Sequence, residues 1–149
     1  MNAALNSIRS RIAVAAACAA LASITIQPVW PHHAFGAEFD VNRPVKLQGV
    51  VTRWELINPH SWIHIDVKGE DGKAIPWMIE VGSPNSLFRY GFTKESLPPG
   101  AEIIVEGYQS KDGANRAVGA KLTFSDGRKV FLGGSAPGAN PEPQNSQKK

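Results

Sequence analysis

The stretch Trp54-Glu55-Leu56-Ile57-Asn58-Pro59-His60-Ser61-Trp62-Ile63-His64-Ile65-Asp66 decides how the rest of the chain reads. Asn58-Pro59-His60-Ser61 is a turn signal between two apolar, strand-like runs, so the segment predicts a β-hairpin. Pairing Ile57 with Trp62 puts Glu55 opposite His64 and Arg53 opposite Asp66 on one face. Leu56 then faces Ile63, and Trp54 faces Ile65, on the other. The second face is apolar and enters a core, while the first collects side chains able to bind or exchange protons.

Working outward, the strand before the turn runs from Val45 to Ile57. Its apolar parity changes from odd (Val45, Leu47) to even (Val50, Trp54, Leu56) at Gly49, which predicts a β-bulge at that glycine. After the turn, Ile63, Ile65 and Val67 point inward. Glu70-Asp71-Gly72-Lys73 reverses the chain into a third strand with Ile75, Trp77, Ile79 and Val81 inward. Ser83-Pro84 is an N-cap followed by proline at the first helical position, and Gly91 stops the helix, giving a short helix over 84–90. Thr93 to Leu97 adds one more helical turn before Pro98-Pro99-Gly100. Strands over 102–109 and 117–124 join across Lys111-Asp112-Gly113, and Ser125-Asp126-Gly127 turns into a last strand over 129–132.

The fold class expected is all-β with one short helix, a small OB-fold-like barrel in the order β-β-β-α-β-β. The helix between the third and fourth strands favours it over an SH3-like barrel. The organisation expected is a signal peptide over 1–28, an N-terminal arm over 32–44, a small β-barrel domain over 45–133 and a disordered tail over 134–149. The tail's Gly, Ser, Pro, Asn, Gln and Lys content predicts that disorder.

Length and charge narrow the function classes. With 149 residues the chain has room for one small core. Arg9 and Arg11 precede an apolar run from Ile12 to Ile26, too short to span a bilayer comfortably, and Pro28 and Pro31 follow it. That is the pattern of a secretory signal peptide, so the expected location is periplasmic or secreted, with no stable membrane anchor after processing. The only cysteine, Cys18, lies in the apolar run, which leaves no disulfide framework. The chain carries 16 Lys plus Arg and 13 Asp plus Glu. Without Arg9 and Arg11 the charges nearly cancel, and nothing electrostatic points to nucleic acid.

Several short stretches resemble a family of uncharacterised bacterial secreted proteins, a domain of unknown function. They are His32-His33-Ala34-Phe35 after the signal peptide, Gly49-Val50-Val51, the Asn58-Pro59-His60 turn with Trp62, and Gly82-Ser83-Pro84-Asn85. Lys111-Asp112-Gly113 with Asn115-Arg116, and Asp126-Gly127-Arg128, also match. The resemblance spans about residues 32 to 134 and implies no activity. Pro31 departs from the pattern, which has a small cleavable residue before the His pair.

The candidate chemistry is metal binding by His32, His33, His60 and His64, with Glu55, Met78 and Glu80 as helpers. Imidazole suits copper and zinc, thioether suits Cu(I), and an exported chain without cysteine has only such donors. Catalysis is disfavoured, because Ser61 and Ser83 lack a nucleophile setting. Trp62, with outward parity beside Asn58 and Glu55, is a candidate platform for a small, sugar-like ligand. The function expected is a periplasmic binding or accessory module whose partner is a small ligand or another periplasmic protein. The alternative is a structural or interaction protein without metal.

Overall fold

A computed structural model describes residues 32–141, with side chains from Phe35 onward. The signal-peptide segment 1–28 and tail residues 142–149 lie outside the described residues. The elements in chain order are α1 (His32–Glu38), β1 (Phe39–Glu55), β2 (Ser61–Lys68), β3 (Ala74–Val81), α2 (Pro84–Arg89), β4 (Glu102–Ser110), β5 (Arg116–Phe124) and β6 (Lys129–Phe131). The sheet order is β3-β2-β1-β4-β5-β6, and β3 also pairs with β5, so five strands close into a ring. Among the described residues no helix is long and apolar enough to cross a membrane.

The 17-residue β1 makes the closure possible. Its C-terminal part pairs with β2 and its N-terminal part with β4, and both partnerships meet at Gly49 and Val50. A side chain at Gly49 would collide with the β2 backbone, since an added Cβ would sit 2.7 Å from the Asp66 carbonyl oxygen. Glycine therefore stands where the strand bends closely over its neighbour.

The bulge itself is not at Gly49. The β1–β2 register slips between Val51 and Arg53, leaving Thr52 unpaired. Leu47 and Val51 are buried with odd parity, Trp54 packs on the core with even parity, and Val50 is 38% exposed. The hairpin register also differs by two residues near the turn: Glu55 pairs with Trp62, Trp54 with Ile63 and Arg53 with His64. From Arg53 to the turn a two-residue shift keeps the side chains on their expected faces, so the core constrained the face but not the pairing there, whereas before the slip Val50, expected inward, faces out and Val51 faces in. The turn is longer than expected because residues 56–60 all leave the ladder.

Leu47, Val51, Ile63, Ile65, Ile79, Val81, Ile103, Val105 and Leu122 fill the ring, joined by Leu87, Phe92 and Leu97 from the β3–β4 connection. Trp54 and Trp77, expected in the core, are only partly buried against it. Trp54 Nε1 donates to the Thr93 carbonyl at 3.3 Å. In α2, Ser83 Oγ accepts from Ser86 N at 3.3 Å and Pro84 occupies the first turn, the cap chemistry expected. Residues 93–97 form a turn rather than a further helical segment. The three Asp-Gly turns share one construction: each glycine has positive φ, and each aspartate side chain accepts from a backbone N–H two residues on.

Three expectations about the ends require correction. Among the described residues there are two short helices, not one, because residues 32–38 of the N-terminal arm are helical. The rest of the arm, from Phe39, already belongs to β1. The chain after Gly133 is not uniformly loose, since Ala136 and Ala139 are buried with Phe39, Val118 and Ala120 in a second apolar cluster that Phe35 and Tyr108 complete. Strand β5 is thus buried on both faces, with Ala117 and Leu122 inside the ring and Val118 and Ala120 outside it.

Candidate functional site

The outer face of β1, β2 and β3 carries the titratable side chains, and the ladders place them in rows. Arg53 pairs with His64, His64 with Met78, and Met78 with Arg116 of β5. In the next row Glu55 pairs with Trp62, Trp62 with Glu80, and Glu80 with Val118. Residues directly opposite in a ladder share a face, so each row is a line of neighbours.

Two imidazoles on this surface are held by carboxylates. His64 Nε2 lies 2.7 Å from Glu55 Oε2, the pair joined diagonally across the hairpin. An ionised carboxylate only accepts, so Nε2 carries the proton. Arg53 Nη2, 3.1 Å from the same nitrogen, then cannot donate to it, and its charge is met by Glu55 Oε1, 3.3 Å from Nη1. At the turn, His60 Nδ1 lies 2.6 Å from Glu80 Oε1. One ring nitrogen of each histidine is thereby engaged, and the other, Nδ1 of His64 and Nε2 of His60, has no hydrogen-bond partner among the described residues.

Glu80 is only 7% exposed. Burial pushes its carboxyl above the usual range; the charges of His60 and Arg116 pull it down, and that of Glu38 adds to the rise. Glu38 ends α1 and lies 3.6 Å from Arg116 Nη1, so the N-terminal helix is tied electrostatically to the β3–β5 seam beside Glu80. Glu38 and Arg116 were not evident as site residues in sequence. Their position depends on the parallel β3–β5 closure, which no local pattern encodes.

His60 and His64 are thus placed with Glu55, Met78 and Glu80 on one surface. Trp62 shares it but is half-buried, and Asn58 is exposed in the turn next to Pro59, with a cis peptide bond between them. His32 and His33 lie on α1, and their side chains fall outside the described ones. Among the described residues, no three His, Cys, Asp or Glu side chains are grouped to hold a metal ion.

The fold and this surface define a small all-β domain with a closed ring of strands and two histidine–carboxylate pairs on its outer face. The chain belongs to the family of unknown function DUF6152, whose model matches residues 17–120. No curated protein and no solved structure matches it.

Proposed function

We propose that this is an exported periplasmic protein whose ring is an OB-type barrel, serving as a binding or accessory module that holds copper or zinc on its outer β1–β3 face. The strand order, the β3–β5 closure and the helix between β3 and β4 support the OB reading. The observation that carries the metal reading is the pair of imidazoles each held through one nitrogen by a carboxylate, at 2.6 and 2.7 Å, on the same outer surface. Outer carboxylates of this kind orient metal-ligating histidines and raise their basicity.

In this reading His60 and His64 are donors, and His32 and His33 add to the His60 end. Their helix ends at Glu38, whose charge reaches Glu80, and His32 is roughly 9 Å from Glu38 along the helix axis. Binding weakens as pH falls, because protons compete for the imidazoles. Calorimetric titration of the protein with Cu(II) and Zn(II), beside a His60→Ala, His64→Ala double variant, tests this. Loss of binding in the variant is expected. Equal affinity in both proteins, or none in either, would return the histidines to a purely structural role.

A further inference from the structure

We infer that His64 and Met78 form a Cu(I) site, with His64 Nδ1 and Met78 Sδ as donors and Glu55 as the residue that positions the imidazole. This rests on the metal-binding reading of the same face and names the metal, its oxidation state and its donors.

His64 and Met78 are directly opposite in the antiparallel β2–β3 ladder. Their Cβ atoms are therefore about 4.5–5.5 Å apart with both side chains on the outer face. Glu55 occupies Nε2 of His64. Among the described residues nothing bonds its Nδ1, so that nitrogen keeps an open lone pair. The imidazole is mostly covered, its side chain 15% exposed. Met78 is 42% exposed on a strand whose core side chains are Ile79 and Val81, so the ring interior does not require its thioether.

The donors select the ion. Arg53 and Arg116 stand at the two ends of the row, each next to a proposed donor. Glu55 neutralises Arg53, while Glu38 at 3.6 Å and Asp112 at 3.8 Å neutralise Arg116. No carboxylate stands in the row itself, and an imidazole with a thioether is a soft donor pair that suits Cu(I). The nitrogen and oxygen donors at His60 and Glu80 suit Cu(II) or Zn(II) instead. The two ends of the face are thus chemically distinct.

The test is an anaerobic Cu(I) titration of the full chain against a chromophoric Cu(I) chelator, run on the wild type and Met78→Leu. Leucine conserves volume at an exposed position, so Met78→Leu keeps the fold. Its Cu(I) affinity is expected to fall by more than the about 10- to 100-fold that loss of an outer-shell partner brings. Met1 and Met78 are the only methionines. In selenomethionine protein a copper–selenium path in X-ray absorption, present in the wild type and absent in Met78→Leu, assigns the donor.

Equal Cu(I) affinity in wild type and Met78→Leu, or no selenium path, overturns the inference while leaving the Cu(II) and Zn(II) reading to its own titration. A selenium path lost with Met78, in a protein that binds neither Cu(II) nor Zn(II), sustains the Cu(I) site and overturns only the divalent reading.

Discussion

Glu55 Oε2 lies 2.7 Å from His64 Nε2 although the two residues are not opposite each other, since Glu55 pairs with Trp62 and His64 with Arg53. The contact is a diagonal one, reached because the glutamate side chain is long enough to span the offset. Arg53 reinforces it through the other carboxylate oxygen at 3.3 Å.

Glu55→Gln should therefore leave the fold nearly unchanged, because the pair is partly solvated and such pairs contribute no more than about 1 kcal/mol. On the proposed metal-binding reading, affinity at His64 should fall about 10- to 100-fold, since a carboxamide orients the ring but no longer raises its basicity. Thermal melts and parallel titrations measure the two effects. A large loss of stability with unchanged affinity would mean that the pair serves the sheet alone.

Glu80 couples the site to pH. Burial holds its carboxyl above the ordinary value of 4.5, while His60 and Arg116 oppose the rise. Between that value and the raised one, the folded protein binds more protons than the unfolded chain, so stability declines as pH rises through the window and stays lower above it. Glu80→Gln should flatten that decline, and His60→Ala should steepen it by removing an opposing charge. Urea denaturation at a series of pH values from 4 upward reads the slope, and identical slopes in Glu80→Gln and wild type would contradict the account.

Local chemistry was legible in the sequence, and long-range closure was not. Ser83-Pro84, the Asp-Gly turns and the alternation of Ile63, Ile65, Ile79 and Val81 each act within a few residues, and each element formed where its signal stood. Between Arg53 and the turn the hairpin register was legible only as a choice of face, because a two-residue slip leaves the faces unchanged. Glycine and a parity change coincide at Gly49 and point to a bulge there, but the glycine answers the approach of the Asp66 carbonyl and the slip falls at Thr52. Glu38 and Arg116 reach Glu80 only through the β3–β5 seam, a contact between segments far apart in sequence.

Ser61 is fully buried, and its hydroxyl has no hydrogen-bond partner among the described residues. It stands opposite Val81 at the inner start of β2. A buried hydroxyl left unsatisfied costs about 1–3 kcal/mol, and Ser61→Ala removes that group with almost no change in volume. The variant should be more stable by up to that amount, read as a higher denaturant midpoint at unchanged slope. A lower midpoint would imply a partner for the hydroxyl.

The segment after Gly133 has the composition of a disordered tail, and the packing of its described residues gives the opposite prediction. Ala139 is 0% exposed and Ala136 4% exposed, both in the cluster with Phe39, Val118 and Ala120. Gly133 N donates to the Ala139 carbonyl at 2.8 Å, and Tyr90 Oη lies 2.9 Å from Asn140 Oδ1. The small alanines let this segment lie close to β5 and α1, where Phe35 stacks on Phe39 with centroids 6.2 Å apart. Ala139→Asp would bury a carboxylate in an apolar setting, where even a neutral polar group without a partner costs about 1–3 kcal/mol. The variant should melt several degrees lower at neutral pH and recover part of the loss in acid, as the carboxyl protonates. Ala139→Gly, which adds no charge, should show no such recovery. If the segment were detached from β5, Ala139→Asp would melt with the wild type at every pH, and calorimetry across pH 4–8 separates the two outcomes.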